Sequence, residues 1–278
     1  MSTITQEKWL ALCMQLQQHL QQRGADPART VVLLPYAQLL PVVRAHWAQL
    51  PQAGLLPRFE TTFNWAARLA PHVPTAADYS QDAAQDLLTA GQLLQAAGLR
   101  QQASWLAGRV REAAQQLAAL AQAQPPQQRL AWMQALLPQL LDSLGAAPMR
   151  YEQVVAQVAL AWVGSSSYGT DILFEALEQE APDALILLRG YQRDPLSEAL
   201  YARWLEQQPE AACAIDLPQF WEKAGETAPM APVQWHRARD LEDQAARAAA
   251  CVQQAVEGRT GLVALVDSDR ALTRRIRA

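Results

Sequence analysis

Asp183-Ala184-Leu185-Ile186-Leu187-Leu188-Arg189-Gly190 decides the fold class, because five consecutive apolar residues stand between a Pro182-Asp183 turn and a glycine. A strand wetted on one face alternates apolar and polar residues. A short continuous apolar run closed by turn residues is a strand covered on both faces, as in a parallel sheet. Val31-Val32-Leu33-Leu34-Pro35 has the same form, and Arg58 to Thr62, Ala211 to Leu217 and Leu262 to Val266 read as further strands. Val233-Gln234-Trp235 reads as another extended piece.

Helical spacing fills the intervals. Trp9, Leu12, Cys13, Leu16 and Leu20 define an amphipathic helix over Thr5 to Gln22 that Gly24 stops, and Gln38 to Trp47 and a short segment with Trp65 and Leu69 follow the first two strands. From Asp78 to Gln179 the pattern is helical: Gln81 to Ala97, Gln102 to Ala123, Gln128 to Leu144 and Arg150 to Val163, broken at Gly98, Pro125-Pro126 and Gly145 to Pro148, then a short helix from Asp171 to Glu178. Pro195 to Gln207 is a helix, and Asp240 is placed to cap one running to Val256 before Gly258. The expected architecture is α/β: a parallel sheet begun by residues 1–77, a helical insertion over 78–180, and a return to the sheet over 181–278. The chain stops inside the first turns of a helix over Ala271 to Ala278, which predicts the N-terminal part of a longer polypeptide.

Composition sets the function classes. The 278 residues are 50% hydrophobic and 18% charged, as in globular proteins, and no apolar run reaches bilayer length. MSTITQEKW has neither the positive lead nor the apolar stretch of a secretory signal, and Cys13, Cys213 and Cys251 are widely separated, so the expectation is a cytoplasmic protein with reduced cysteines and no membrane partner. The net charge of −4 provides no overall field for nucleic acid. Lysine occurs only at 8 and 223.

Catalytic signatures are missing where they would be sought. A phosphate-binding loop needs glycines for close backbone approach and a lysine, whereas Pro35-Tyr36-Ala37-Gln38 follows the first strand. Asp216 reads as a turn carboxylate, Pro182-Asp183 as a turn, and His19, His46, His72 and His236 show no metal-like spacing or partnered nucleophile. No catalytic, cofactor-binding or metal residue is assigned, and no cofactor is expected in this segment. The nine tryptophans are dispersed as core residues, with Trp221 and Trp235 the candidates for stacking. Arg270, Arg274, Arg275 and Arg277 lie within eight residues and admit two readings, a solvated helix face or contact with the phosphates of DNA or RNA. Tyr191 and Arg193 follow a strand's carboxyl end, where open α/β sheets place ligand contacts.

Val31 to Pro35 with its helix, Pro57-Arg58-Phe59-Glu60-Thr61, Leu187-Leu188-Arg189-Gly190-Tyr191, and above all Arg239-Asp240-Leu241-Glu242-Asp243-Gln244-Ala245 leading to Gly261 through Arg275 resemble the start of the AddB/RexB-type subunit of bacterial double-strand break repair helicase-nucleases. The resemblance covers this chain and about the first third of such a subunit. It implies a RecA-like, P-loop NTPase-like parallel sheet with a helical insertion, an inactivated superfamily 1 helicase-like region. It also implies, further along, a nuclease that often carries an iron–sulfur cluster; this chain lacks both. Implied partners are single-stranded or duplex-end DNA and an AddA-like motor subunit, and the parent protein would be the exonuclease subunit of an ATP-dependent helicase-nuclease. Tyr191, Arg193, Arg270, Arg274 and Arg275 are the nucleic-acid-binding candidates. A protein-interaction scaffold without DNA contact and a divergent ATP-dependent helicase domain are the alternative readings.

Overall fold

The computed structural model describes residues 3–51, 54–144, 150–179, 182–223, 234–258, 263–266 and 270–277. Two compact units form, Met1–Glu226 and Thr227–Ala278.

The first unit contains a four-stranded, wholly parallel sheet in the order β2-β1-β3-β4. Its strands are β1 (Thr30–Leu33), β2 (Arg58–Glu60), β3 (Ala184–Arg189) and β4 (Ala212–Asp216). β1 and β3 are the central pair, in register Thr30↔Ala184 to Leu33↔Leu187, and their unbroken apolar runs are buried almost throughout. Two-residue alternation sends Val32, Ile186 and Leu188 to one face, with Trp9, Leu12 and Leu16 of α1 (Thr3–Arg23) and Val43 and Trp47 of α2 (Leu39–Trp47). Val31, Leu33, Leu185 and Leu187 face the other side. There they meet Trp65 of α3 (Thr62–Leu69), Leu173 and Leu177 of α8 (Ile172–Gln179), and Leu200 and Trp204 of α9 (Pro195–Gln207). Each such fully buried side chain contributes about 1.5–3 kcal/mol through removal from water. Gly24 ends α1 at φ +64°, a conformation that costs glycine little.

A third apolar cluster belongs to the four helices α4 (Ala83–Ala96), α5 (Ala103–Gln122), α6 (Pro126–Leu144) and α7 (Arg150–Ser165). α5 buries Ala107, Ala114, Ala118 and Ala121, and Trp162 of α7 stands edge-on to Tyr79 at 5.4 Å while its Nε1 donates to Ala77 O at 2.8 Å. Arg129 ties the bundle to the following loop. It is 4% exposed. Its guanidinium donates to Ala121 O, Gln124 O and Ser166 O and reaches Asp171 Oδ1 at 2.5 Å.

In the second unit α11 (Leu241–Glu257) starts at the expected cap, with Asp240 Oδ1 accepting from the Asp243 amide at 2.8 Å. α12 (Arg270–Arg277) follows. The expected strand over Leu262 to Val266 is overturned in its described part. Residues 263–266 have no regular structure, and Val266 is 93% exposed. An apolar run becomes a strand only against an edge that completes its hydrogen bonds, and among the described residues this unit supplies two helices and no strand. Gly145 to Pro148, Val233, Gly261, Leu262 and Asp267 to Asp269 lie outside the described residues. Among those described, no helix is long and apolar enough to cross a membrane.

Candidate functional site

In the order β2-β1-β3-β4 the chain leaves β1 toward one edge and β3 toward the other. The carboxyl ends of these two strands therefore flank the crevice where open α/β sheets receive ligands. Pro35 and Tyr36 follow β1 and Gly190 follows β3. A Cβ at position 190 would stand 2.9 Å from Tyr36 Oη and 3.0 Å from Pro35 Cβ, so glycine is what allows the phenol to close over the strand end. The Gln192 amide donates to that hydroxyl at 3.5 Å. Alongside, Arg189 donates from Nε and Nη2 to both Glu198 carboxylate oxygens at 2.7 Å, with its guanidinium 5.7 Å from the Tyr201 ring centre. The Glu198 hydrogen bonds raise the Arg189 pKa, outweighing burial. Between these groups about 10 Å³ remains, the space of one water.

Tyr191 and Arg193 project from the loop beyond. Tyr191 is 80% exposed. The Arg193 side chain is largely solvated, with Nη1 3.7 Å from Glu198 Oε1. Asp194 fixes the loop's end by capping α9, accepting from the amides of Leu196 and Ser197 at 3.3 and 3.2 Å. The loop is short and anchored on both sides, by β3 and by this cap.

The arginine group behaves differently. Arg270 opens α12, Arg274 is exposed, and Arg275 pairs with Glu242 of α11. A solvent-exposed pair of this kind holds its arginine with about 0–1 kcal/mol, little enough for an incoming phosphate to replace the carboxylate. The structure therefore brings Tyr191 and Arg193 together in one unit and Arg270, Arg274 and Arg275 together in the other.

Other singled-out residues have structural work. Asp183 accepts from the Asp26 amide at 3.3 Å and pairs with Arg29, and Asp216 caps α10 (Leu217–Lys223) by accepting from the Gln219 amide. His46 is buried with Nδ1 2.8 Å from Val42 O. Trp221 packs edge-on against Trp9 at 5.3 Å, which removes it as a stacking candidate, whereas Trp235 is 92% exposed. His236 and Cys251 are fifteen positions apart, yet Nε2 and Sγ lie 3.8 Å apart, a pairing that local spacing does not reveal. Cys13 is buried, and desolvation pushes its thiol up to about 12. Among the described residues no group of three or more His, Cys, Asp and Glu could hold a metal.

Sequence reasoning missed a cleft of about 510 Å³ in the first unit, between α3, the 71–81 loop and residues 167–170. Asp78 organises its wall, accepting from the amide and hydroxyl of both Thr75 and Ser167 at 2.8–2.9 Å. Burial works to raise the Asp78 pKa, but these four hydrogen bonds prevail and lower it.

Neither the family models, nor the curated proteins, nor the solved structures compared with this chain gave a match.

Proposed function

We propose that the chain is a non-catalytic, helicase-like scaffold of the AddB/RexB type, with a RecA-like sheet that guides single-stranded DNA and docks a motor subunit. The observation that carries the reading is the sheet's switch point. Tyr36 over Gly190 and the Arg189–Glu198 pair fill the crevice that a nucleotide would need, while Tyr191 and Arg193 are solvated immediately beyond it. A solvated phenol offers a face for a base and a neighbouring guanidinium a partner for phosphate, a combination suited to strands of any sequence. Arg270, Arg274 and Arg275 would add phosphate contacts.

Fluorescence anisotropy with a labelled single strand tests this, at low and moderate salt, with and without ATP and magnesium. The expected result is salt-sensitive binding indifferent to ATP. Tyr191→Ala should weaken it about 5- to 10-fold, the lower end of the about 1–3 kcal/mol per stacked base, and Arg193→Ala should lower the salt slope by about 0.7. Binding that ignores Tyr191, Arg193 and a combined Arg270, Arg274 and Arg275 to Ala change would discard the DNA-guiding role. ATP-dependent binding would favour a divergent motor.

A further inference from the structure

We propose that the open edge of β4 takes up an extended, acidic segment of a partner protein as a further strand of the sheet. β4 has β3 on one side and, among the described residues, no strand on the other. An edge strand presents a row of backbone N–H and C=O groups suited to pairing with another chain, and proline, lysine or a bulge is the usual means of preventing it. Ala212-Cys213-Ala214-Ile215-Asp216 contains neither of those residues, and its register with β3 runs unbroken from Leu185↔Ala212 to Arg189↔Asp216. The edge is left competent to pair.

A groove accompanies it on the side of the sheet that α1 covers. Two hollows of about 210 and 560 Å³ share Gln15 and Ile215. The smaller reaches Cys213, and the larger continues past Asp216 to Phe220 and Lys223 of α10. A strand laid along β4 turns every second side chain to this face, so its residues i, i+2 and i+4 follow the hollows from one end to the other.

Charge selects the segment. Lys223 stands at one end. Arg23 stands at the other: burial raises the Cys213 pKa against the opposing Arg23 charge, and burial with the same charge lowers that of His19, which keeps this ring neutral at pH 7. Both cations are exposed, and among the described residues no carboxylate pairs with either. Asp216, the one carboxylate among the described lining residues, is engaged as the α10 cap. The ends of a five-residue strand lie about 13 Å apart, so carboxylates at i and i+4 reach the two cations. Cys213, Ile215 and Phe220 suit an apolar residue at i+2. A nucleic-acid strand could meet the cations but would leave the backbone edge unpaired, which favours a peptide. The groove is separate from Tyr191 and Arg193 and its reading does not rest on DNA guidance, so either proposal can fail alone.

Fluorescence anisotropy on the intact chain tests this with the labelled peptide Gly-Ser-Asp-Thr-Val-Thr-Asp-Ser-Gly, which reads alike in both directions and so presumes no strand orientation. Saturable binding is expected, with slower hydrogen exchange at the outward amides of residues 212–216. Exchanging both aspartates for lysine should weaken binding at least about 10-fold. Exchanging Thr-Val for Pro-Pro, which removes a backbone donor from each side of the strand, should weaken it likewise. Arg23→Glu with Lys223→Glu should turn the preference to the lysine peptide at an unchanged melting temperature, a reversal that damage to the fold does not produce. The proposal is overturned if the aspartate peptide does not bind at about 1 mM, or if the aspartate and lysine peptides bind alike. Protection of every β4 amide in the free chain, to the level of β3, would give the edge to the chain's own residues and overturn it. So would a dimer that Lys223→Glu separates, which would give the edge to a second copy.

Discussion

At the scale of single residues, the tightest requirement is at Gly190. A methyl group there meets the Tyr36 hydroxyl and Pro35 Cβ at 2.9–3.0 Å, and crowding of this kind costs about 1–3 kcal/mol. Gly190→Ala should lower stability in urea denaturation by that amount, and adding Tyr36→Ala should restore part of the loss, since the two changes share the ring contact while the Pro35 Cβ contact remains. Asp78 makes a pH-dependent contribution. Its folded pKa is depressed, so its stabilisation is complete above the unfolded value of about 3.9 and disappears as pH falls through the lower folded value. The stability gap between the protein and Asp78→Asn should therefore be widest near neutrality and should close below about pH 4; a gap independent of pH would dismiss the charge as its cause. Gln122, which with Thr170 and Gln81 lines the cleft beside α3, was within reach of the sequence. It continues Val110, Ala114 and Ala118 at four-residue steps on the inner stripe of α5, and a carboxamide in that series is the signal. Thr170 and Gln81 carry no such mark, because burial and φ at a loop position depend on segments distant in sequence.

At the scale of elements, Arg129 sets the junction between α6 and the 166–171 loop. Removing one member of a buried pair leaves the other unpaired and costs about 3–5 kcal/mol. Arg129→Met should lose that much in thermal or chemical denaturation. Arg129→Met with Asp171→Leu should recover only part, because the carbonyls of Gln124 and Ser166 lose the guanidinium donor, while Ala121 O keeps the Gln124 amide. A double variant as stable as the parent would mean that those carbonyls find water. Helices and central strands were legible to within a few residues: the Pro195 to Gln207 helix, the Asp240 cap and the strand after Asp183 all occur as their spacing and turn chemistry indicate. Residues 263–266 look the same as β1 in composition and differ in outcome. Local pattern specifies how a segment can pair, and the partner that makes it a strand is a property of the rest of the chain.

At the scale of the whole molecule, the parallel order of the sheet follows from helices between strands, whereas the position of β1 and β3 at its centre was not written in any one segment. That order brings Tyr36 to Gly190, which lie far apart in the chain, and creates the filled crevice on which the functional reading rests. The three apolar clusters have a different consequence. Trp47 belongs to the cluster under α1 and α2, Trp162 to the four-helix bundle, and Trp65 with Trp204 to the opposite side of the sheet. The protein thus carries native fluorophores assigned to each of its interiors, and phenylalanine replacements can switch them off one cluster at a time. Because Trp105 stands on α5 and Trp132 of α6 packs against the same cluster, phenylalanine at 105, 132 and 162 together should remove the emission change that accompanies loss of the bundle. If the remaining signal then melts at the same midpoint, bundle and sheet unfold as one cooperative unit; a displaced midpoint would reveal an optically separable intermediate in which one interior has opened while another is still closed.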